Sequence, residues 1–101
     1  MTFDFDRWCD WLNAQTQVLH GEGLEAEFAI TEKYGRKMSL QIRGQKAISS
    51  FRNWENGALV DYEIIRLDDS SLVANEAMIK VSDDNFQTVF DKFVKIYKSV
   101  L

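Results

Sequence analysis

The dipeptide Asn56-Gly57 lies between two β-rich runs in the stretch Ile48 to Leu67, ISSFRNWENGALVDYEIIRL, and it constrains the chain more than any other feature. A two-residue type I′ turn needs positive φ at both central positions, which Asn tolerates and Gly adopts freely. The pair therefore predicts a tight hairpin with one register. Glu55 faces Ala58, Trp54 faces Leu59, Asn53 faces Val60, Arg52 faces Asp61, Phe51 faces Tyr62 and Ser50 faces Glu63. Side chains alternate across a strand, so these pairs fall on two faces.

One face carries Phe51, Val60, Tyr62 and Ile64, which suits a core. The other carries Ser50, Arg52, Trp54, Leu59, Asp61 and Glu63. The plainer reading of that second face is solvated sheet surface, with Arg52–Asp61 as a cross-strand ion pair contributing about 0.2–1 kcal/mol. The sharper reading is an interface with a Trp anchor ringed by acids, since Trp and Arg are enriched where protein partners dock.

The flanking segments supply the rest of a domain. Phe5, Trp8, Cys9, Leu12, Val18 and Leu19 recur at near-helical spacing, so a first helix is expected over about 5–19, capped by Thr2, Asp4 or Asp6 and ended by Gly21 and Gly23. Trp11 falls off that stripe. The only histidine, His20, is expected to contact the last helix carbonyls. From Leu24 the period drops to two. Ala26, Phe28 and Ile30 share a face opposite Glu25, Glu27 and Thr31, and Met38, Leu40 and Ile42 alternate with Ser39, Gln41 and Arg43. The polar turn Asp68-Asp69-Ser70-Ser71 precedes a last strand suggested by Val73, Ala77, Ile79 and Val81. Ser82-Asp83-Asp84-Asn85 then opens a helix whose apolar stripe runs Phe86, Val89, Phe90, Phe93, Val94, Tyr97, Val100 and Leu101. Hairpin-linked strands pair with their neighbours. The expected fold is thus a single two-layer α+β domain, 1–101: an antiparallel β-meander of four to five strands with the N- and C-terminal helices packed on one face.

Chemistry is harder to find. None of the five glycines builds a phosphate loop, and no GxSxG, HExxH or CxxC occurs. Cys9 and His20, eleven residues apart on one helix, are separated by about 16 Å along its axis and cannot form a nucleophile–base pair. Asp61 and Glu63 share a strand face, but acid–base work needs a pocket that an open sheet lacks. No catalytic residue, cofactor or metal site is expected. Cys9 reads as a packed thiol in a reducing compartment. Met1 runs directly into the acidic TFDFDRWCDW, and no apolar run could span a bilayer, so a cytoplasmic protein without membrane contact is expected.

Charge is unevenly placed. Residues 1–27 hold six carboxylates against Arg7 alone, whereas Lys33 to Arg52 contain six basic residues and no acid. The formal net charge of −4 argues against nucleic-acid binding, which relies on clustered basic surface. The basic run keeps a nucleic-acid module as a third option, testable by retention on heparin.

The run WENGALVDYEII, preceded by a strand from Ala47 to Asn53 and followed by the acidic turn Asp68-Asp69, resembles the TriTu-type immunity proteins of bacterial polymorphic-toxin and contact-dependent inhibition systems. In that family a short helix precedes a strand region with a Trp-acid-x-Gly turn and an Asp-x-Glu pair, and a C-terminal helix follows. The matching positions are Trp54, Glu55, Gly57, Asp61 and Glu63. The resemblance implies a cytoplasmic, non-enzymatic protein that binds and neutralises a cognate toxin. Net acidity suits a basic toxin such as a nuclease, because complementary charge speeds association. Arg52, Trp54, Glu55, Leu59, Asp61 and Glu63 are then the expected partner-binding residues, on a monomer or weak dimer. The competing reading is a small acidic secretion or assembly chaperone that binds a client segment.

Overall fold

A computed structural model describes residues 2–101 and carries the expected order of elements. Helix α1 (Phe5–Gly21) is followed by strands β1 (Glu25–Thr31), β2 (Lys37–Arg43), β3 (Ala47–Trp54), β4 (Leu59–Arg66) and β5 (Leu72–Lys80), then by helix α2 (Phe86–Lys98). The strands form one sheet in the order β1-β2-β3-β4-β5, each antiparallel to its neighbour. Helix α1 lies over β1 and β2, and α2 lies over β3. Both helices cover the same side, where Met38, Leu40, Ile42, Phe51, Val60, Tyr62 and Ile64 are buried. The expected two-layer α+β meander is the fold.

The helices end as their sequences direct. The Asp4 carboxylate accepts the Arg7 N–H at 3.2 Å and caps α1. At the other end the Leu24 N–H reaches the Leu19 carbonyl and the Gly23 N–H reaches that of His20, both at 3.0 Å. This is a Schellman motif, with Gly23 at φ 82° in the left-handed conformation it requires. Because those bonds satisfy the last carbonyls, His20 does not contact them as expected. Its Nε2 lies 2.9 Å from the Ala26 carbonyl, in β1.

Aromatic packing joins the layers. Phe86, Phe90, Phe93 and Tyr97 are buried along one face of α2, and the Phe51 ring in β3 meets Phe86, Phe90 and Phe93 at centroid distances of 5.9, 5.2 and 5.3 Å. Trp11 is half-buried, edge-on to Trp8 and Phe90 at 5.3 Å each. The Tyr97 hydroxyl donates to the Ala47 carbonyl at 2.8 Å, tying α2 to the start of β3.

Asp83 ties the two helix beginnings together. Its carboxylate accepts the Asp4 backbone N–H at 2.8 Å, the Trp8 indole N–H at 2.9 Å and the Thr2 hydroxyl at 3.1 Å. Those bonds, the Asp4 amide first, hold the carboxyl below its ordinary value. A depressed folded pKa means that the stabilisation is complete above the ordinary carboxylate value. It is lost as the pH falls from there through the folded value. Asp83→Asn should therefore lower the urea midpoint at neutral pH, and its deficit against wild type should shrink below about pH 4. A deficit independent of pH would show that the charge on Asp83 is irrelevant.

Three expectations need correction. Val18 is 54% exposed because it lines a groove of about 380 Å³ between α1 and α2, where helices seated over different strands do not close. Ile30 is 47% exposed, since α1 only partly covers the edge strand β1. In β5 the single apolar face breaks: Val73 and Ile79 are half-buried, Ala77 is exposed and Val81 lies beyond the strand. Register shifts between Val60/Tyr62 and Ile64/Ile65 interrupt the period-two alternation.

Candidate functional site

The central hairpin has the register that Asn56-Gly57 predicts from Ser50–Glu63 through to Trp54–Leu59. Its turn differs. Positive φ falls on Gly57 (80°) and Ala58 (49°), not on Asn56. In a two-residue hairpin Glu55 and Ala58 would exchange both backbone bonds. Here the Ala58 N–H does reach the Glu55 carbonyl at 3.1 Å, but the Glu55 N–H goes to Arg36 and the Ala58 carbonyl accepts from Val81. Neighbouring chain segments take the second bond, and the turn opens to residues 55–58. The strand register survives because the loop opens symmetrically.

Alternation sends Arg52 and Trp54 of β3, and Leu59, Asp61 and Glu63 of β4, to the side opposite the helices. All five are half-buried there. The inter-strand pairings arrange this open face in rows. One row runs Lys37–Trp54–Leu59–Lys80, the next Ser39–Arg52–Asp61, then Gln41–Ser50–Glu63–Asn75 and Arg43–Ile48–Ile65–Leu72. The Lys37 ammonium lies 5.6 Å from the Trp54 ring centroid, within cation–π range. Arg52 Nε donates to Asp61 Oδ1 at 2.6 Å, and its Nη1 stands 4.0 Å from Glu63 Oε1.

Five of the six expected site residues therefore share a face. Glu55 does not. Its carboxylate accepts two hydrogen bonds from Arg36, at 3.1 and 2.5 Å, and Arg36 also donates to Asp6 at 2.7 Å while lying 4.8 Å over the Phe5 ring. Glu55 thus anchors the hairpin tip to α1. The Arg36 hydrogen bonds hold its carboxyl below the ordinary value.

Signs balance on this face. Lys37, Arg43, Arg52 and Lys80 accompany Glu25, Glu27, Asp61 and Glu63, with Glu25 directly opposite Arg43. The ring of acids around Trp54 is thus a mixed-charge surface, and the basic run 33–52 is divided between two loops, an ion-paired Arg36 and this face. Lys37, Ile48 and Ile65 were legible by extending the alternation one step beyond the strands' central residues. Lys80 and Leu72 were not, because the bulges in β5 intervene. A shallow depression of about 160 Å³ lies between Ser50, Glu63, Ile48 and Ile65, room for one partner side chain.

Cys9 is buried and its thiol is pushed up to about 11, mainly by that burial and then by Asp6. A thiol so raised is a poor nucleophile. Among the described residues, no three His, Cys, Asp or Glu side chains converge as a metal ion would need. Among the same residues, no helix is long and apolar enough to cross a membrane.

Comparison with protein-family models matches residues 4–96 to the family described as Immunity protein TriTu. No curated protein and no solved structure gives a significant match. The match spans both helices almost entirely and all five strands, and by that extent the chain belongs to the TriTu immunity protein family.

Proposed function

We propose that this immunity protein neutralises its cognate toxin domain in the cytoplasm by stoichiometric occlusion, with the open sheet face as the docking surface. The observation that carries this reading is the placement of both helices on one side of the sheet. That leaves an uncovered face with Trp54 and Leu59 at one end, Ile48 and Ile65 at the other, and ionic rows between. Apolar anchors within a polar surround are the anatomy of protein interfaces. The toxin is a basic domain such as a nuclease, within a contact-dependent inhibition system. The net charge of −4 attracts it at long range, and the mixed-charge rows select it at close range.

The test pairs the protein with the toxin domain that it captures from its native host. The expected result is one-to-one binding, loss of toxin activity at one equivalent, and slowed amide exchange in β2, β3 and β4. Slowed exchange confined to α1 and α2 would move the site to the other side of the molecule.

Charge reversal gives a kinetic prediction. The double substitution Asp61→Lys, Glu63→Lys should lower the association rate at low salt, with the difference fading as ionic strength rises. Stopped-flow mixing measures it. An association rate equal to wild type at low salt would show that these carboxylates face away from the toxin's approach.

A further inference from the structure

The sheet has two edges, and they are built differently. Edge strands expose unpaired backbone groups, which proteins blunt with bulges, charges or prolines. β5 is blunted twice over. It carries both register shifts against β4, and Met78 within it holds φ 60°, a conformation that is an outlier for so bulky a residue. β1 has neither bulge nor strained residue, and its two charges, Glu25 and Glu27, lie on the open face. Its seven residues pair with β2 without a shift from Glu25–Arg43 to Thr31–Lys37, and it contains neither Pro nor Lys.

The outward-facing groups of β1 can be named. The Gly44 N–H bonds the Ala47 carbonyl, so the even-numbered residues of β2 bond β3 and the odd-numbered ones bond β1. In β1, residues Glu25, Glu27, Ala29 and Thr31 are therefore engaged, and Ala26, Phe28 and Ile30 turn their N–H and carbonyl groups away from the sheet. The Ala26 carbonyl agrees, since it is the one that meets His20. These three residues also form the apolar row, with Phe28 half-buried and Ile30 47% exposed.

We infer that β1 is a homodimerisation edge: two copies pair β1 to β1 in an antiparallel register centred on Phe28, joining two five-stranded sheets into one of ten. The strand is self-complementary in this register. Phe28 meets its symmetry mate, and Ala26 meets Ile30 of the second copy, so the apolar rows become continuous. Glu27 faces Ala29 and Glu25 faces Thr31, so no carboxylate lies directly opposite another. A register centred on Glu27 would oppose two carboxylates, which is destabilising. His20 does not block the pairing, because a carbonyl oxygen accepts two hydrogen bonds. On the α1 flank away from α2, Asn13 and Gln17 are exposed and uncharged, and of the two acids at the same helical spacing Asp6 is paired with Arg36 and Asp10 lies a turn before Asn13. The open face stays free in the dimer, and the inference stands independently of where the toxin binds.

Sedimentation velocity of the intact protein from micromolar to millimolar concentration tests this. The mass is expected to shift from one chain to two, with slowed exchange of the Phe28 and Ile30 amides in the dimer. Ile30→Lys charges the exposed apolar row. Ile30→Pro removes an outward N–H without breaking a bond to β2. Each should return the mass to one chain while far-ultraviolet circular dichroism stays native, and Ile30→Lys alone suffices should the proline variant misfold. Met78→Lys, on the opposite edge, should leave the dimer intact. A wild-type mass of one chain throughout the range would overturn the inference. So would a doubled mass that persists in Ile30→Lys or disappears in Met78→Lys.

Discussion

Replacing Phe51 with alanine is expected to lower the unfolding free energy by about 3–5 kcal/mol, the cost of deleting a fully enclosed aromatic side chain and leaving its cavity. Phe51 has no exposed surface and occupies the central strand, stacked 6.3 Å from Tyr62 and under the three phenylalanines of α2. Its ring is the common contact of helix, strand and neighbouring strand, so collapse around the void would have to move several elements at once. Domains of this size have only about 5–15 kcal/mol in hand. The variant should unfold at much lower urea concentration or fail to fold at body temperature. Urea titration followed by circular dichroism reads the effect, and a loss below about 1 kcal/mol would contradict the packing of α2 on β3.

Trp54→Ala should act in the opposite manner, leaving the fold nearly untouched and weakening toxin binding by about 2 kcal/mol or more, roughly 30-fold in Kd. The indole is half-buried on the open face, between Leu59 on the neighbouring strand and the Lys37 ammonium. A partner that covers it completes the burial of a large apolar surface already held in one orientation, so little side-chain entropy is lost on binding. Lys37→Ala should cost less, about 0.5–1 kcal/mol of cation–π support. Isothermal titration with the toxin domain separates the two effects. An affinity within twofold of wild type would take Trp54 out of the interface.

The two substitutions lie three residues apart in one strand, and the opposite directions of their side chains were readable from period-two alternation alone. So were the strand order and the pairing of Arg52 with Asp61, because each follows from short-range pattern and short connections. Glu55 lies apart from the other five for a specific reason. It entered the expected set through its match to the family's Trp-acid-x-Gly pattern, and the Arg36 guanidinium, nineteen positions away, draws its carboxylate toward α1. The turn at Asn56-Gly57 failed similarly, since its second backbone bond is claimed by Arg36 on one side and Val81 on the other.

Local pattern in the chain specified the order and type of the elements, the register of the central hairpin and which of its faces meets the core. These depend on local backbone preference and on a periodicity that a slip of one residue would invert. The balance of charge on the open face, the bulges that blunt β5 and the uninterrupted edge at β1 emerge only once the sheet is assembled. Those arise when strands distant along the chain are laid side by side, so that Glu25 answers Arg43 and Lys80 joins the row of Trp54.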